Sequence, residues 1–195
     1  MKKIPTLFLR AQELGEPGWL VRPQVRPGCE WVLAHEGIPT EKIDGTACAI
    51  IDGRFYKRRT VAQDTALPPE AIDCGFDGTK RALWIPVGDA PDEKWHREAY
   101  YAAIPEGTYE LVGPKVQSNP YGLRIHVLWR HGKPIDLTLR FDGPETPQTW
   151  FDALHRYLEQ WRIEGIVWHH PDGRMVKLKR RDFNLPWPIR RENGL

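Results

Sequence analysis

Turn-forming residues constrain this chain more than any other feature. Its 195 residues include 17 glycines and 18 prolines, spread along the whole length and not gathered in one tract. Proline removes a backbone donor and stops helices and central strands, while glycine and proline together set tight turns. Such a chain is unsuited to a helical bundle or a coiled coil and suited to many short strands joined by turns. Hydrophobic residues make up 41%, including nine tryptophans, which is enough apolar surface for a sizeable core. The length points to a single domain over residues 1–195.

The punctuation gives a coarse path. Residues 1–40 read as irregular. The apolar run Ala47–Ile51, the Asp52-Gly53 turn and the returning Arg54–Arg58 form a hairpin. Residues 62–92, rich in Pro, Asp and Gly, read mostly as loop, and 93–103 as a helix stopped before Pro105. Residues 107–113 form a strand. A second hairpin is expected from 123–130 and 135–141, turning at His131-Gly132-Lys133. Trp150, Leu154, Tyr157, Leu158 and Trp161 recur at helical spacing over 147–162, with Pro147 in the first turn. A last hairpin joins 164–168 to 174–179 through Pro171-Asp172-Gly173. The fold class is therefore α+β, with antiparallel hairpins and a few helices.

Several function classes drop out. Lys plus Arg number 28 against 26 Asp plus Glu, a net charge of +2, so no strongly acidic or basic partner is demanded. No apolar stretch approaches the ~18 residues a membrane span needs, and the opening apolar run is too short for a signal peptide. Cys29, Cys48 and Cys74 are odd in number and lack CxxC spacing, which argues against a disulfide framework and a cysteine zinc site. A cytoplasmic location is expected, with the cysteines as small core residues.

Four segments place charged groups on strands or strand ends. In Glu41-Lys42-Ile43-Asp44-Gly45-Thr46 a lysine precedes a tight turn, two residues from a carboxylate. An amine kept partly buried among cations loses its proton more readily and becomes a nucleophile; an exposed lysine beside a turn aspartate is the plainer alternative. Lys57-Arg58-Arg59 either clamps phosphate and ribose oxygens or guards a strand edge with charge. Glu110, within Tyr109–Gly113, either points inward toward a partner or alternates to solvent. Lys177 and Lys179 lie two apart on one strand and so share a face, where they suit a phosphate. Glu164, at the start of the preceding strand, suits a divalent cation. A polar surface hairpin is the alternative for both.

Taken in order, these elements resemble the covalent nucleotidyltransferase superfamily of polynucleotide ligases and mRNA capping enzymes. Lys42-Ile43-Asp44-Gly45 looks like its KxDG motif, Arg58 or Arg59 like the next element, and Glu110 like the carboxylate of the third. Glu164-Gly165 and Lys177-Leu178-Lys179 look like the fourth and fifth. The resemblance covers residues 40–183. Within it, the stretch Glu106–Tyr121 and Glu164–Trp168 look most like the small ATP-dependent RNA ligases akin to the vertebrate 5′-to-3′ RNA ligase.

The resemblance implies an adenylyltransferase domain. With the fifth element already at 177–179, no OB-fold domain is expected in this chain. It also implies an ATP-dependent RNA ligase, with Mg²⁺ (or Mn²⁺) and RNA carrying 5′-phosphate and 3′-OH ends as partners, and a role in RNA repair. Lys42 would form the lysyl-AMP, with Lys177 and Lys179 depressing its pKa and neutralising the transferred phosphate. Glu164, and Asp44 through water, would hold the metal. Glu110 and Arg58 or Arg59 would hold the ribose, Thr46 would bond near the nucleophile, and the backbone of Glu41 would read the adenine edge. Trp129 and His126 are candidates for stacking on the base, with core packing the favoured alternative for the tryptophan. Arg174, Arg180 and Arg181 extend the lysine pair into a basic patch for RNA, with a solvated edge the alternative for the last two. Gln117, Ser118 and Asn119 form a turn that either contacts the strand end or is explained by its Pro-rich sequence alone. Rival expectations are a DNA ligase, a GTP-using guanylyltransferase, and a non-catalytic RNA-binding module of the same fold.

Overall fold

The computed structural model describes residues 4–76 and 78–189. In chain order the elements are β1 (Phe8–Arg10), β2 (Val21–Val25), β3 (Ile38–Lys42), β4 (Thr46–Ile51), β5 (Arg54–Ala62), β6 (Ile72–Phe76) and β7 (Lys80–Pro86). They continue with α1 (Lys94–Ala99), β8 (Gly107–Val112), β9 (Val127–Arg130), α2 (Pro147–Gln160), β10 (Gly165–His169) and β11 (Met175–Lys179). The named strands pair antiparallel, so the α+β class with antiparallel hairpins holds. No helix among the described residues is long and apolar enough to cross a membrane. The chain divides into two compact units, Asp44–His131 in one, and Ile4–Ile43 with the chain from Gly132 onward in the other.

The 44–131 unit is built on a six-stranded sheet in the order β6-β7-β5-β4-β8-β9. Period-two alternation sends Cys48, Ile50, Phe55, Tyr109 and Leu111 to one face, where they pack with Ala99, Ile104 and Val116. Ala49, Tyr56 and Trp84 cluster on the other face. Residues 62–92 were expected to be loop, yet they supply β6 and β7. The run Ala82-Leu83-Trp84 is buried against β5, and the Pro- and Gly-rich flanks hide that run from a reading by punctuation. The helix expected over 93–103 is six residues long, preceded by a 3-10 turn at Pro91–Glu93.

Within this helix His96 is buried with neither ring nitrogen hydrogen-bonded among the described residues. Burial, reinforced by the nearby Lys57 charge, holds its imidazole below the ordinary range. The native state thus resists a proton that the unfolded chain accepts. Stability is full above the unfolded-state value of 6.5 and falls as pH drops below it. The expected result is a thermal midpoint that declines from pH 7 to pH 5, with a shallower decline in His96→Leu, read by calorimetry across that range.

The other unit holds the three-stranded sheet β11-β10-β3 and the β1-β2 pair. Thr146 caps α2 by accepting from the Thr149 N–H, and Pro147 occupies the first turn, where its missing donor goes unneeded. Trp150, Leu154 and Leu158 of α2 share one core with Ile166, Trp168, Val176 and Leu178 of β10 and β11. The amide of Leu7 donates to the Lys177 carbonyl and that of Lys177 to the Pro5 carbonyl, both at 2.9 Å, so the start of the described chain runs along β11.

Two further expectations change here. Residues 135–141 form no strand. Ile135, Leu137, Leu139 and Phe141 do pack against the core, so their alternation records burial, but β9 belongs to the other unit and no hairpin closes. Arg180 is buried and not solvated. Its guanidinium donates to the carbonyls of Leu158, Trp161 and Pro186, tying the end of α2 to the turn after β11.

Candidate active site

Strand register gathers four of the expected residues on one sheet of the second unit. Lys42 in β3 stands opposite Gly165 in β10, and Gly165 stands opposite Lys179 in β11. In the next row Thr40, Val167 and Lys177 align. Side chains two apart on a strand share a face, so Lys42, Lys177 and Lys179 project from the same side. The opposite side carries Ile166, Trp168, Val176 and Leu178 into the core. Gly165 is demanded by space, because a Cβ there would lie 2.2 Å from the Leu178 carbonyl oxygen and 2.8 Å from the Lys179 Cα.

Glu164, just before β10, brings its Oε2 to 2.5 Å from Lys42 Nζ. Their side chains are only 10% and 22% exposed, so water screens the pair weakly. Lys177 carries the clearest like-charge effect: burial first, then repulsion from Lys179 and Lys42, pulls its ammonium down to about 8, with Asp182 and Glu164 acting the other way. Asp182 is fully buried. It accepts from the Lys179 N–H at 2.8 Å and pairs with Arg10 at 2.7 Å, fixing the end of β11. Neither Asp182 nor Arg10 was singled out from the sequence. The usable signal was an acidic residue three positions past Lys179, where it caps the following turn.

Glu41 lies on the opposite side of β3 from Lys42, paired with Ile166. Burial raises its carboxyl, with Lys133 opposing, and its N–H points to the Lys133 carbonyl at 3.4 Å.

In the 44–131 unit, Glu110 faces Trp129 on one neighbouring strand and Ala47 on the other. Arg58 faces Trp84. Because Ala49 pairs with Tyr56, alternation puts Ala47, Ala49, Tyr56, Arg58, Glu110 and Trp129 on one face of the sheet. Arg59 and Thr46 fall on the opposite face, across from Leu83 and Leu111. The choice between the two arginines that the sequence leaves open is thereby narrowed, since only Arg58 shares a face with Glu110.

Glu110 Oε2 lies 2.7 Å from His131 Nε2, a partner that sequence reading assigned to a turn. Gly45 is again set by close approach: a Cβ would meet the Leu111 carbonyl oxygen at 2.2 Å. Asp44, in the same unit, donates its backbone N–H to the Tyr121 hydroxyl at 2.7 Å.

His126 does not serve as a base-stacking platform. It is buried, stacked on Trp95 at 4.6 Å, and accepts from the Lys115 N–H. Trp129 is half-buried and meets Tyr121 edge-on at 4.6 Å. Of the expected basic patch, Arg174 is bound to Asp172 at 2.7 Å and Arg181 is exposed. Cys29 and Cys48 are buried free thiols.

No cluster of three or more His, Cys, Asp or Glu suited to a metal ion occurs among the described residues. Glu164 offers the hard carboxylate oxygen that Mg²⁺ takes singly or in pairs, the rest of its shell being phosphate oxygens and water. This donor set fits an ion arriving with a nucleotide and not one caged by protein alone.

A family model described as RNA ligase 1 matches residues 92–193, a stretch that contains Glu110, Glu164, Lys177 and Lys179 and begins after Lys42, Asp44 and Arg58. RNA ligase 1 of Danio rerio is 37% identical over 98 residues, covering 45% of this chain and 27% of that protein. RNA ligase 1 of Pongo abelii is 37% identical over 89 residues, covering 43% and 26%, and that of Rattus norvegicus 35% identical over 89 residues with the same coverage. The chain thus aligns with about a quarter of the length of these curated relatives. Since the family match extends over more than half of the chain, the chain belongs to the RNA ligase 1 family.

Proposed function

We propose that the chain is an ATP-dependent RNA ligase domain of the nucleotidyltransferase fold that works through a lysyl-AMP intermediate. The observation that carries this reading is the Lys42–Glu164 pair at 2.5 Å, set in a row with Lys179 and beside Lys177 on one sheet face. Neutral Lys42 Nζ attacks the α-phosphorus of ATP. A nitrogen–phosphorus bond forms, the bond to pyrophosphate breaks, and the amine gives up a proton. An RNA 5′-phosphate oxygen then attacks the same phosphorus and releases the lysine. A 3′-OH finally attacks the RNA 5′-phosphorus, and AMP departs. Lys177 and Lys179 offset the charge that develops on the phosphoryl oxygens. Glu164 would hold a Mg²⁺ ion together with nucleotide phosphates, and that ion would supply positive charge beside the transferred phosphoryl group. Asp44 is assigned to the water shell of that ion. Glu110 and Arg58 are assigned to the ribose.

Two comparisons test the reading. Incubation with labelled ATP, and separately with labelled GTP, is expected to leave label on the denatured protein only from ATP. Label from GTP would turn the reading toward a guanylyltransferase. RNA binding without label from either nucleotide would turn it toward a binding module. Because Arg58 and not Arg59 lies on the Glu110 face, Arg58→Ala is expected to slow labelling by about ten-fold or more, the scale of a lost charged hydrogen bond. Arg59→Ala should leave it within about two-fold, as for an exposed surface substitution.

A further inference from the structure

Gln117, Ser118 and Asn119 are three consecutive non-glycine residues in the left-handed region, with φ of 46°, 59° and 52°. The left-handed region is unfavourable for any residue but glycine, so a run of three persists only where surrounding contacts enforce it. Here they do. The Asn119 amide donates to the Leu123 carbonyl and its Oδ1 accepts from the Leu123 N–H, both at 2.9 Å. The strained turn aims two side chains at one target. Gln117 Nε2 donates to the Gly45 carbonyl at 3.3 Å, and the Tyr121 hydroxyl accepts the Asp44 N–H at 2.7 Å. Tyr121 is itself braced edge-on against Trp129. The target has little freedom of its own, because Gly45 sits too close to β8 to carry a Cβ.

We infer that the 113–123 loop is a clamp on the Asp44–Gly45 backbone, and that Tyr121 and Gln117 are positioning residues for Asp44 in nucleotide capture. The inference rests on the lysyl-AMP reading. The strain is held in the loop so that the backbone carrying Asp44 keeps one direction. Ser118 makes no side-chain hydrogen bond among the described residues, so its left-handed geometry serves only to place its neighbours.

Tyr121→Phe removes the hydroxyl and keeps the ring. With wild type and saturating ATP, single-turnover lysyl-AMP formation is measured beside thermal midpoint and sealing of pre-adenylylated RNA, which bypasses the lysine. The expected result is capture slowed on the order of ten-fold or more, with the midpoint and pre-adenylylated sealing unchanged. Gln117→Ala should show a smaller loss of the same kind. Ser118→Gly should raise the midpoint, as release of a left-handed strain requires, without slowing capture. The clamp is overturned if Tyr121→Phe captures AMP at the wild-type rate, or if sealing and midpoint fall in proportion to capture. Absence of any adduct on wild type would instead remove the lysyl-AMP reading, and the clamp with it.

Discussion

Lys42→Ala and Lys42→Arg are both expected to abolish covalent AMP capture, by roughly three orders of magnitude or more, the scale on which loss of a covalent nucleophile is read. The two substitutions fail for different reasons. Alanine removes the amine and leaves Glu164 without its 2.5 Å partner. Arginine keeps a cation opposite Glu164 but is never deprotonated in a protein, so the pair survives and the nucleophile does not. The pair is mostly buried, and losing it in Lys42→Ala costs about 1–3 kcal/mol, the scale of a charged hydrogen bond broken where water screens weakly. Circular dichroism melts run beside single-turnover labelling should therefore show two folded, inactive proteins, with the arginine variant the more stable. A Lys42→Arg protein that still captures AMP would place the nucleophile elsewhere.

Gly165→Ala is expected to be among the most destabilising single substitutions in the chain. The added methyl would sit 2.2 Å from a backbone oxygen of β11, and neither strand can yield without breaking the Gly165–Lys179 and Gly165–Lys42 register. Overpacking against backbone costs about 3 kcal/mol, the upper end for inserted methyls, which lowers the thermal midpoint by about 6–12 °C in a chain of this size. Because the clash lies in the row that holds Lys42 and Lys179, capture should fall with stability, even at temperatures where most of the protein remains folded. A Gly165→Ala protein with the wild-type midpoint would mean that β10 and β11 are not spaced as described.

How legible these features were in the sequence depended on how local each one is. The β4-β5 and β10-β11 hairpins and α2 were readable because turn residues, alternation or helical spacing sit inside a single stretch of chain. β6 and β7 were not, because their burial comes from pairing with β5 while their flanks are full of Pro, Asp and Gly. The alternation of Ile135 to Phe141 looks like a hairpin strand and is none, since alternation reports which side is buried and not whether a partner strand exists.

The candidate site shows the same division. Lys177 and Lys179 sharing a face follows from strand period alone. Lys42 standing in line with Lys179 depends on β10 intervening between two strands more than a hundred residues apart, and motif order implied their association without giving the row. That Arg58 and not Arg59 shares a face with Glu110 is a matter of register and shows only once β4 is paired with both β5 and β8. The roles of His131, Tyr121 and Asp182 escaped notice because each acts through side-chain bonds that only the folded chain brings together, and none belongs to a periodic pattern.

Intact-mass spectrometry of the protein after exposure to ATP and Mg²⁺, followed by peptide mapping, tests the central claim most directly. A mass increase of one AMP, mapped to the peptide carrying Lys42 and missing from Lys42→Arg, is the predicted result. An unchanged mass, or an AMP group mapped to any other residue, would contradict it.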